Sequence, residues 1–584
     1  MKVFRKVEHE VDFCVVGGGM AGLCAAVAAA RNGAKVALMH DRPVLGGNAS
    51  SECRVHITGA DRHNRIRNMR ETGILEEIRM DNLRLNPNRS FSIWDTILYE
   101  KIRYEPNIKP LLNCSCLDAT TEGSSIRSIA GWQLTTETYH IVKAKIFADC
   151  SGEGILAPLT GAEHNIGRES RNDYGESIAP EQADGRTMGM TCLFQAREYD
   201  APQPFEAPQW ANRYESCDEL PYGARGHKWF NMGYWWIELG GEDDSIHDAE
   251  ELRDRLLKIV YGTWDHIKNR CPNREKARNW ALEWVQFLPS RRESRRYVGA
   301  HVLTQNDIEA EGRFDDLVAY GGWTMDDHHP AGFNCVSAGV KPTVFHKAPS
   351  PYGIPYRSLY SRNVHNLMFA GRDASCTHSA MSSTRVMGTG CSMGQAVGVA
   401  ASIAVRNGIS PPGVGARIGE VQQQLLRDDA YLPWVRQEFP AVTRNAALTA
   451  SRGDPEPVRD GINRPVGDEL HAWICAPGDW IAYRFDKPSE IEQATVIVAS
   501  ALDKCVAMSL LQRDDQLTAP PDVMPKAFRL DFLQAGQWIQ AVRVEDNHQR
   551  LAGFKIGRVC EGVRFCLEET RGAEKSRLYA FWIE

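Results

Sequence analysis

Histidines, arginines and carboxylates gather in four short segments of this sequence. The segments are ECRVHITG (52–59), RRESRRYVGAH (291–301), WTMDDHHPAG (323–332) and SCTHSAMSSTR (375–385). Histidine exchanges protons near neutral pH, and arginine binds anions or hydroxyl groups through several fixed donors. We therefore take His378 and His329 as candidate acid or base groups, and Arg54, Arg295 and Arg385 as candidate binding groups.

Each of these segments also has a purely structural interpretation. RRESRR places four arginines around Glu293, and a buried ion-pair network explains that pattern as well as catalysis does. Arg54 and His56 fit a surface strand without a role. DDHHP has the composition of a metal site, but no second pair of ligands is evident, so we expect no metal. The 16 cysteines form no CxxC pair, and we interpret them as buried thiols of a reducing compartment rather than disulfides or zinc ligands.

The elements that would position such groups are clearest near the start of the chain. Residues 11–16 read as a buried strand, 23–31 as a helix and 35–39 as a second strand, which together make a βαβ unit. Its turn carries G-x-G-x-x-G at Gly17, Gly19 and Gly22. In this context the three glycines allow a tight turn, close approach of a pyrophosphate, and close packing of the helix. The segment therefore predicts a dinucleotide site.

The residue expected to hold the adenosine ribose departs from the usual pattern. That site calls for a carboxylate about 20 residues after the glycines, at the end of the second strand. His40 occupies the place and Asp41 follows it. Either Asp41 accepts hydrogen bonds from the ribose, or His40 does so instead.

Three later stretches complete a recognisable set. They are RPVLGGNASSECRVH (42–56), KIFADCSGEGILAPLTGAE (145–163) and NVHNLMFAGRD…GTGCSMGQA (363–396), and the last predicts a strand followed by a helix that begins near Gly388. In this order the motifs resemble the FAD-dependent oxidoreductases of the two-dinucleotide-binding-domain superfamily, which are related to fumarate reductase flavoproteins. The resemblance covers roughly residues 10–435.

The resemblance implies FAD as the cofactor and assigns residues to it. Asp149, Gly152 and Asp373 would lie near its pyrophosphate or ribityl chain, and the helix from Gly388 would point its N–H groups at the flavin, where reduction develops negative charge. The full set of expected FAD contacts is Gly17, Gly19, Met20, Ala21, Gly22, His40, Asp41, Gly46, Gly47, Asn48, Ser50, Ser51, Asp149, Gly152, Gly371, Asp373, Arg385, Gly390 and Met393.

We expect an α/β fold with a Rossmann-like FAD-binding domain built from residues 1–190 and 331–435. Residues 191–330 would form an inserted α+β cap rich in aromatic residues. Beyond residue 435 short strand-like runs alternate with turns, which predicts an all-β sandwich over 436–584. The stretch VRDGINRPVGDELHAWIC…DWIAYRFDKPSEIEQATVIVAS (458–500) resembles jelly-roll domains of the galactose-binding or discoidin type. The sandwich would either bind glycan or serve packing and oligomerisation.

Composition narrows the class of protein. The chain has 584 residues, a formal net charge of −7, 43% hydrophobic and 24% charged residues. This balance is ordinary for a globular protein and gives no basic surface for nucleic acid. No apolar run is long enough to span a bilayer and no signal sequence is evident, so we expect a cytoplasmic protein without membrane insertion.

Three functions remain open from the sequence. The first is FAD-dependent oxidation of a CH–OH group in a sugar, polyol or glycoside-like small molecule, with a histidine taking the hydroxyl proton. The second is reduction of an activated C=C bond, with arginines clamping a carboxylate. The third is a non-catalytic flavoprotein with a glycan-binding sandwich. The electron acceptor and any homo-oligomeric state are not specified by the sequence.

Overall fold

The computed structural model describes residues 4–510 and 515–584. A mixed seven-stranded sheet lies at the centre of the first part of the chain. Its strands, in spatial order, are Ile108–Leu111, Val36–Met39, Arg5–Val16, Thr138–Asp149, Ser125–Gln133 and Cys114–Glu122, and Leu367–Phe369 also pairs with Thr138–Asp149. The first four and Leu367–Phe369 pair in parallel, whereas the last two are antiparallel. This is the predicted Rossmann-like arrangement.

The predicted βαβ unit is confirmed. Strand Arg5–Val16 leads into helix Met20–Arg31, and strand Val36–Met39 follows. The helix is buried along nearly its whole length, because its alanines let it lie flat between the sheet and another helix. That second helix, Met387–Asn407, is also the one predicted near Gly388. A Cβ added to Gly394 would lie 2.1 Å from the carbonyl oxygen of Ala21, so small residues are required where the two helices meet.

Further helices of the first part of the chain cover the sheet or join its strands. They are Ile74–Leu85, Phe91–Arg103, Leu156–Thr160, Arg171–Tyr174, Gln305–Glu309, Cys335–Ala338, His378–Thr384, Pro411–Val414 and Ile418–Arg427. Three two-stranded ribbons bring distant segments together: His164–Asn165 with Arg296–Tyr297, Leu317–Gly321 with Tyr352–Pro355, and Met325–His328 with Thr343–His346. Within the described residues, no helix combines the length and the apolar character needed to cross a bilayer.

A second core lies between residues 190 and 333. Its strands are Met190–Thr191, Phe194–Glu198, Glu238–Leu239, Trp280–Val285 and Ser290–Arg291, and its main helix is Ala249–Asp265, which continues as a π-helical turn, His266–Arg270. Tyr234 and Trp236 are buried in this core, while Trp235 between them is half exposed. These aromatic side chains therefore hold the core together rather than forming an open platform. The boundaries of this unit stay a prediction.

The C-terminal part is the predicted β-sandwich. Its antiparallel strands run, in spatial order, Trp473–Cys475, Ser576–Ile583, Trp480–Val498, Leu551–Thr570, Pro525–Gln534 and Gln537–Val544, with Ala447–Ala450 on Trp480–Val498, while the short helix Ala441–Asn445 leads into them. The two longest strands pair with register shifts near Arg484 and Ile491. Such bulges bend the strands, so the sheet curls around its own apolar core.

The sandwich is fixed to the first part of the chain by buried arginines. Arg550 pairs with Asp429 at 2.9 Å, and its Nη1 donates to the carbonyl of Val498. Arg70 pairs with Glu76 and donates to the carbonyl of Ser500 in the sandwich. Because these cations lie almost fully out of water and are matched by carboxylates and carbonyls, the contact is specific in position.

Candidate functional site

Two of the motif glycines are required by the fold itself. Gly17 has φ of +100°, and a Cβ there would lie 2.4 Å from the backbone nitrogen of Ser151. A Cβ on Gly22 would lie 1.9 Å from the carbonyl oxygen of Gly17. Any side chain at either position would push the helix or the neighbouring strand end away. The turn is therefore closed by glycine on the protein side.

Gly19 differs, because no atom of the described residues comes closer than 4.0 Å to a Cβ added there. The nearest atom to an added Cβ is the carbonyl oxygen of Cys150, at 4.0 Å, and Gly19 has ordinary extended dihedral angles. The second glycine loop lies alongside: Gly46 N donates to Gly18 O at 2.8 Å, and a Cβ on Gly47 would approach Gly19 Cα at 3.1 Å. Together the two loops form an open cradle at the N-terminus of helix Met20–Arg31.

The third predicted segment reaches the same cradle. A Cβ on Gly371 would lie 3.3 Å from Ala21 Cβ, and one on Gly390 would lie 3.7 Å from Gly371 Cα. Met20 and Met393 are buried in the adjoining core. Three stretches distant in sequence thus meet at one place, as the dinucleotide hypothesis requires.

His40 is used within the protein. Its Nδ1 accepts from Gly18 N at 3.0 Å, and its Nε2 donates to Val44 O at 3.0 Å. Burial lowers its pKa, which fits this neutral form. Both ring nitrogens are therefore occupied in holding the two glycine loops. Asp41 is exposed, and it stays the candidate for the ribose.

Asp149 is likewise engaged by the protein on both carboxylate oxygens. It accepts from the Ser151 backbone and hydroxyl, from Leu156 N and from Tyr297 Oη, at distances of 2.6–2.9 Å. It therefore shapes the turn that carries Gly152. Gly152 N donates to Asp373 at 3.2 Å. Burial and the nearby charge of Asp149 raise the pKa of Asp373.

Asn48, Ser50 and Ser51 surround the second glycine loop. Asn48 donates to Arg291 O at 3.4 Å, Ser50 is buried with its hydroxyl accepting from Glu52 N, and Ser51 N donates to Asp95. These contacts fix the loop against the segment that contains the RRESRR motif. Whether the side chains also contact a cofactor stays a prediction.

Several buried polar atoms in the predicted site segments lack hydrogen-bond partners among the described residues, and two of them belong to neighbours of Gly371 and Gly390. They are Thr389 Oγ1, Arg372 Nη1, Arg385 Nε and Trp323 Nε1. Buried donors are nearly always satisfied in proteins, so such a group points to a missing polar ligand. Together with the open space at Gly19, these donors fit a bound dinucleotide. Gly388 N, in contrast, already donates to Thr58 O at 2.8 Å.

His378 is held between two carboxylates. Its Nδ1 donates to Glu293 at 2.8 Å and its Nε2 to Asp327 at 3.2 Å. Burial disfavours the charged ring, but the charge and hydrogen bond of Glu293, together with Asp327, outweigh it and raise the pKa of His378 to about 10. Glu293 is itself paired with the buried Arg296. His378 is therefore an imidazolium at neutral pH.

A second chain of charges runs beside the first and was not predicted from the sequence. His328 lies 2.6 Å from Glu238 and 3.5 Å from Asp326, and Arg385 lies 3.4 Å from Asp326. Burial opposes ionisation of Asp326, yet His328 and the arginine lower its pKa to about 2. Asp326 and Asp327 are neighbours on strand Met325–His328, so they face opposite sides and serve different chains. Glu238, more than 80 residues away, carries no signal in the sequence.

The remaining candidates are engaged in contacts within the protein. Arg54 is stacked between Phe91 and Trp284, at 4.9 and 4.6 Å from the ring centres, and donates to Gln195. Arg295 donates to the carbonyl of Glu153 at 3.1 Å. His329 Nδ1 accepts from Ala331 N at 3.2 Å, in the turn after its strand. Roles for these three stay predictions.

Comparison with solved structures returns carbohydrate-binding modules that each cover 24% of this chain. They include the family 32 module of Streptococcus pneumoniae EndoD (15% identity, 97% of that chain, TM-score 0.19) and the NanJ module of C. perfringens in complex with galactose (6% identity, 93%, 0.18). Another is chitosan-binding module 1 from Paenibacillus sp. IK-5 (13% identity, 95%, 0.18). They match the C-terminal sandwich. No curated protein matches the sequence.

The part of the chain before the sandwich matches a known protein family. The profile of the FAD dependent oxidoreductase family matches residues 12–425, a span that contains all three segments of the cradle and both charged chains. The match covers well over half of the sequence. The open backbone of the cradle is what close approach of a dinucleotide would require. The chain belongs to the FAD-dependent oxidoreductase family and is an oxidoreductase.

Proposed function

We propose that this enzyme oxidises a CH–OH group of a neutral, hydroxyl-rich small molecule such as a sugar, polyol or glycoside. In that reaction the C–H and O–H bonds break, a C=O bond forms, and one hydride and one proton leave the substrate. A bound FAD would supply the hydride acceptor, its N5 atom. The task of the protein is then to orient the substrate, exclude water and take the proton.

The observation that carries this proposal is that five arginines of the site segments are paired with carboxylates, while Arg54 and Arg295 donate to the neutral oxygens of Gln195 and the Glu153 backbone. Arg385 is matched by Asp326, Arg292 by Glu238 and Arg296 by Glu293. Arg291 and Arg372 share Glu153. At each of these five arginines a substrate carboxylate would have to displace a protein carboxylate, whereas a neutral hydroxyl group can use the remaining donors and acceptors without that cost.

The proton would leave through Asp327 and His378. The Asp327 side chain keeps 27% of its surface exposed, whereas that of His378 keeps only 5%. Asp327 can therefore accept a hydrogen bond from a substrate hydroxyl while His378 orients it from behind. Glu293 and Arg296 hold the histidine ring on its buried side. Once His378 loses its proton at high pH, the pair accepts a substrate proton more readily.

Reduction of an activated C=C bond is the second candidate, and one observation favours it. With a pKa of about 10, His378 carries a proton at neutral pH and is ready to donate it. A reductase needs a proton donor, and an alcohol oxidase needs an acceptor. The two candidates therefore predict opposite pH profiles: oxidation should speed up as pH rises toward 10, whereas reduction should slow down.

An anaerobic spectral titration tests both candidates. The purified protein with its flavin would be mixed with sugars, polyols and glycosides, and the oxidised flavin absorption followed. Bleaching by one of these compounds, with a rate that increases toward pH 10, is the expected result. An oxidised spectrum throughout, together with reoxidation of the dithionite-reduced enzyme by unsaturated acids, would replace the first candidate by the second.

A further inference from the structure

Four potential metal ligands meet in the second core, away from the cradle. They are Cys217, His227, His266 and Cys271, and their ligand atoms all lie within 4.8 Å of one another. Three of the four residues are buried and Cys217 is partly exposed. Cys217 begins the short helical turn Cys217–Glu219, and His266 begins the π-helical turn His266–Arg270. We propose that this cluster is a structural zinc site.

Four of the six distances between the ligand atoms match a tetrahedral site, and the other two are within 4.8 Å. Zinc–sulfur bonds of about 2.3 Å and zinc–nitrogen bonds of about 2.05 Å at tetrahedral angles place two sulfurs about 3.8 Å apart, and a sulfur and a nitrogen about 3.5 Å apart. Cys217 Sγ lies 3.8 Å from Cys271 Sγ. The three recorded sulfur–nitrogen distances to His227 and His266 are 3.4–3.5 Å. One ion fits between all four atoms.

The same distances argue against a disulfide. A disulfide joins sulfur atoms at about 2.05 Å, so the two cysteines would have to approach by well over 1 Å. Cys217 Sγ instead contacts both imidazoles, and Cys271 Sγ contacts that of His227. Two thiolates and two imidazoles in a tetrahedron are a ligand set that selects zinc.

Contacts around the cluster orient its ligands. His266 Nδ1 donates to Tyr214 O at 3.0 Å, which leaves Nε2 with its lone pair directed at the cluster. Cys271 Sγ accepts from Asn273 N at 3.4 Å. Metal-binding histidines commonly donate their second nitrogen to a carbonyl in this way, and such contacts fix the ring and its tautomer.

The composition of the site defines its role. All four positions are filled by protein side chains, so none is left for water or substrate, as in structural rather than catalytic zinc sites. Cys217 and His227 lie on an irregular segment, whereas His266 and Cys271 lie at the end of helix Ala249–Asp265. Zinc would tie that segment to the helix and stabilise the core between residues 190 and 333.

The first test is the metal content of the whole protein, purified under reducing conditions without chelator and then supplied with Zn²⁺. We expect about one tightly held zinc per chain. X-ray absorption should give two sulfur and two nitrogen neighbours, and Co²⁺ in its place should give the intense visible bands of tetrahedral thiolate coordination. A reduced protein that takes up neither ion, or a Cys217–Cys271 disulfide in the protein as isolated, would overturn the proposal.

Variants distinguish zinc bound by these four residues from zinc bound elsewhere on the protein. Cys271→Ser should lose zinc and lower the thermal midpoint, whereas Cys335→Ser, at a buried cysteine outside the cluster, should keep it. His227→Cys completes a Cys₃His set that zinc also accepts, so it should retain the metal even if Cys271→Ser does not fold. Zinc retained at full stoichiometry in soluble Cys271→Ser, or lost in folded His227→Cys, would contradict the assignment.

Discussion

Replacement of Gly19 by alanine separates the demands of the cofactor from those of the fold. An added Cβ finds its nearest protein atom at 4.0 Å, and the residue has φ of −63°, which alanine adopts freely. The methyl group would instead project into the cradle. If the pyrophosphate of FAD rests on this backbone, the methyl group occupies its place.

The two effects can be given magnitudes. Alanine lowers the entropy of the unfolded chain, which favours folding by about 0.4–1 kcal/mol, but it is a poorer residue than glycine at the start of a helix. These effects nearly cancel, so the thermal midpoint without FAD should be almost unchanged. Intrusion of one methyl group into a filled site costs about 1–3 kcal/mol. The dissociation constant of FAD should therefore rise roughly 5- to 150-fold.

The assay is a titration of the FAD-free protein with FAD, read by flavin fluorescence, beside its thermal midpoint. Gly185→Ala is the matched control, because that glycine also has open space and lies outside the cradle. Gly22→Ala should behave differently from both, since its Cβ would lie 1.9 Å from a backbone oxygen and destabilise the protein itself. Unchanged FAD affinity in Gly19→Ala would refute the position assigned to the pyrophosphate.

Three further predictions address the charged groups. His378→Gln should keep its FAD but slow flavin reduction by the substrate roughly 100-fold or more, measured by stopped-flow absorbance; an unaltered rate would remove His378 from the proton path. The pKa of His378 is raised from 6.5 to about 10. Its charge therefore stabilises the folded protein fully below pH 6.5, by roughly 5 kcal/mol at most. This stabilisation is lost as the pH rises from 6.5 to 10. In Glu293→Gln the fall in urea midpoint over that range should be much smaller, and an equal fall would contradict the linkage. Arg550→Ala leaves Asp429 buried without its partner and should cost roughly 3–5 kcal/mol, whereas the exposed Arg543→Ala should leave the urea midpoint unchanged; equal midpoints for the two variants would argue against the buried pair.

The sequence predicts the βαβ unit and its glycine turn well because their information is local. Gly17, Gly19 and Gly22 lie within one turn, and the turn is defined by the strand and helix on either side. The periodicity of the strands likewise predicts the sheet and the sandwich. His40 shows the limit of this reasoning: its place in the motif suggests a ribose contact, but its ring is used to hold Gly18 and Val44.

The ion-pair networks around His378 and His328, and the proposed zinc site, could not be predicted in the same way. Glu238, on strand Glu238–Leu239, contacts His328 across a separation of 90 residues in the sequence. His266 and Cys271 are five residues apart, a spacing that matches no regular helix face and is brought together by a π-helical turn. Pairings of this kind depend on the path of the chain between distant segments, which composition and spacing do not specify.

The buried arginines between the sandwich and the first part of the chain have a consequence for the active site. Arg464, in the C-terminal part, donates to the carbonyls of Asn68 and Arg70, and Asn64 donates to Asp503 and Asp515. The loop that contains Asn64 and Asn68 continues from His56, and Arg62 within it donates to Gly322, directly before Trp323. The sandwich thus fixes the loop of residues 57–70, which in turn contacts the segment before Trp323 in the candidate site. Removal of the sandwich from this protein would therefore loosen the loop that borders the candidate active site.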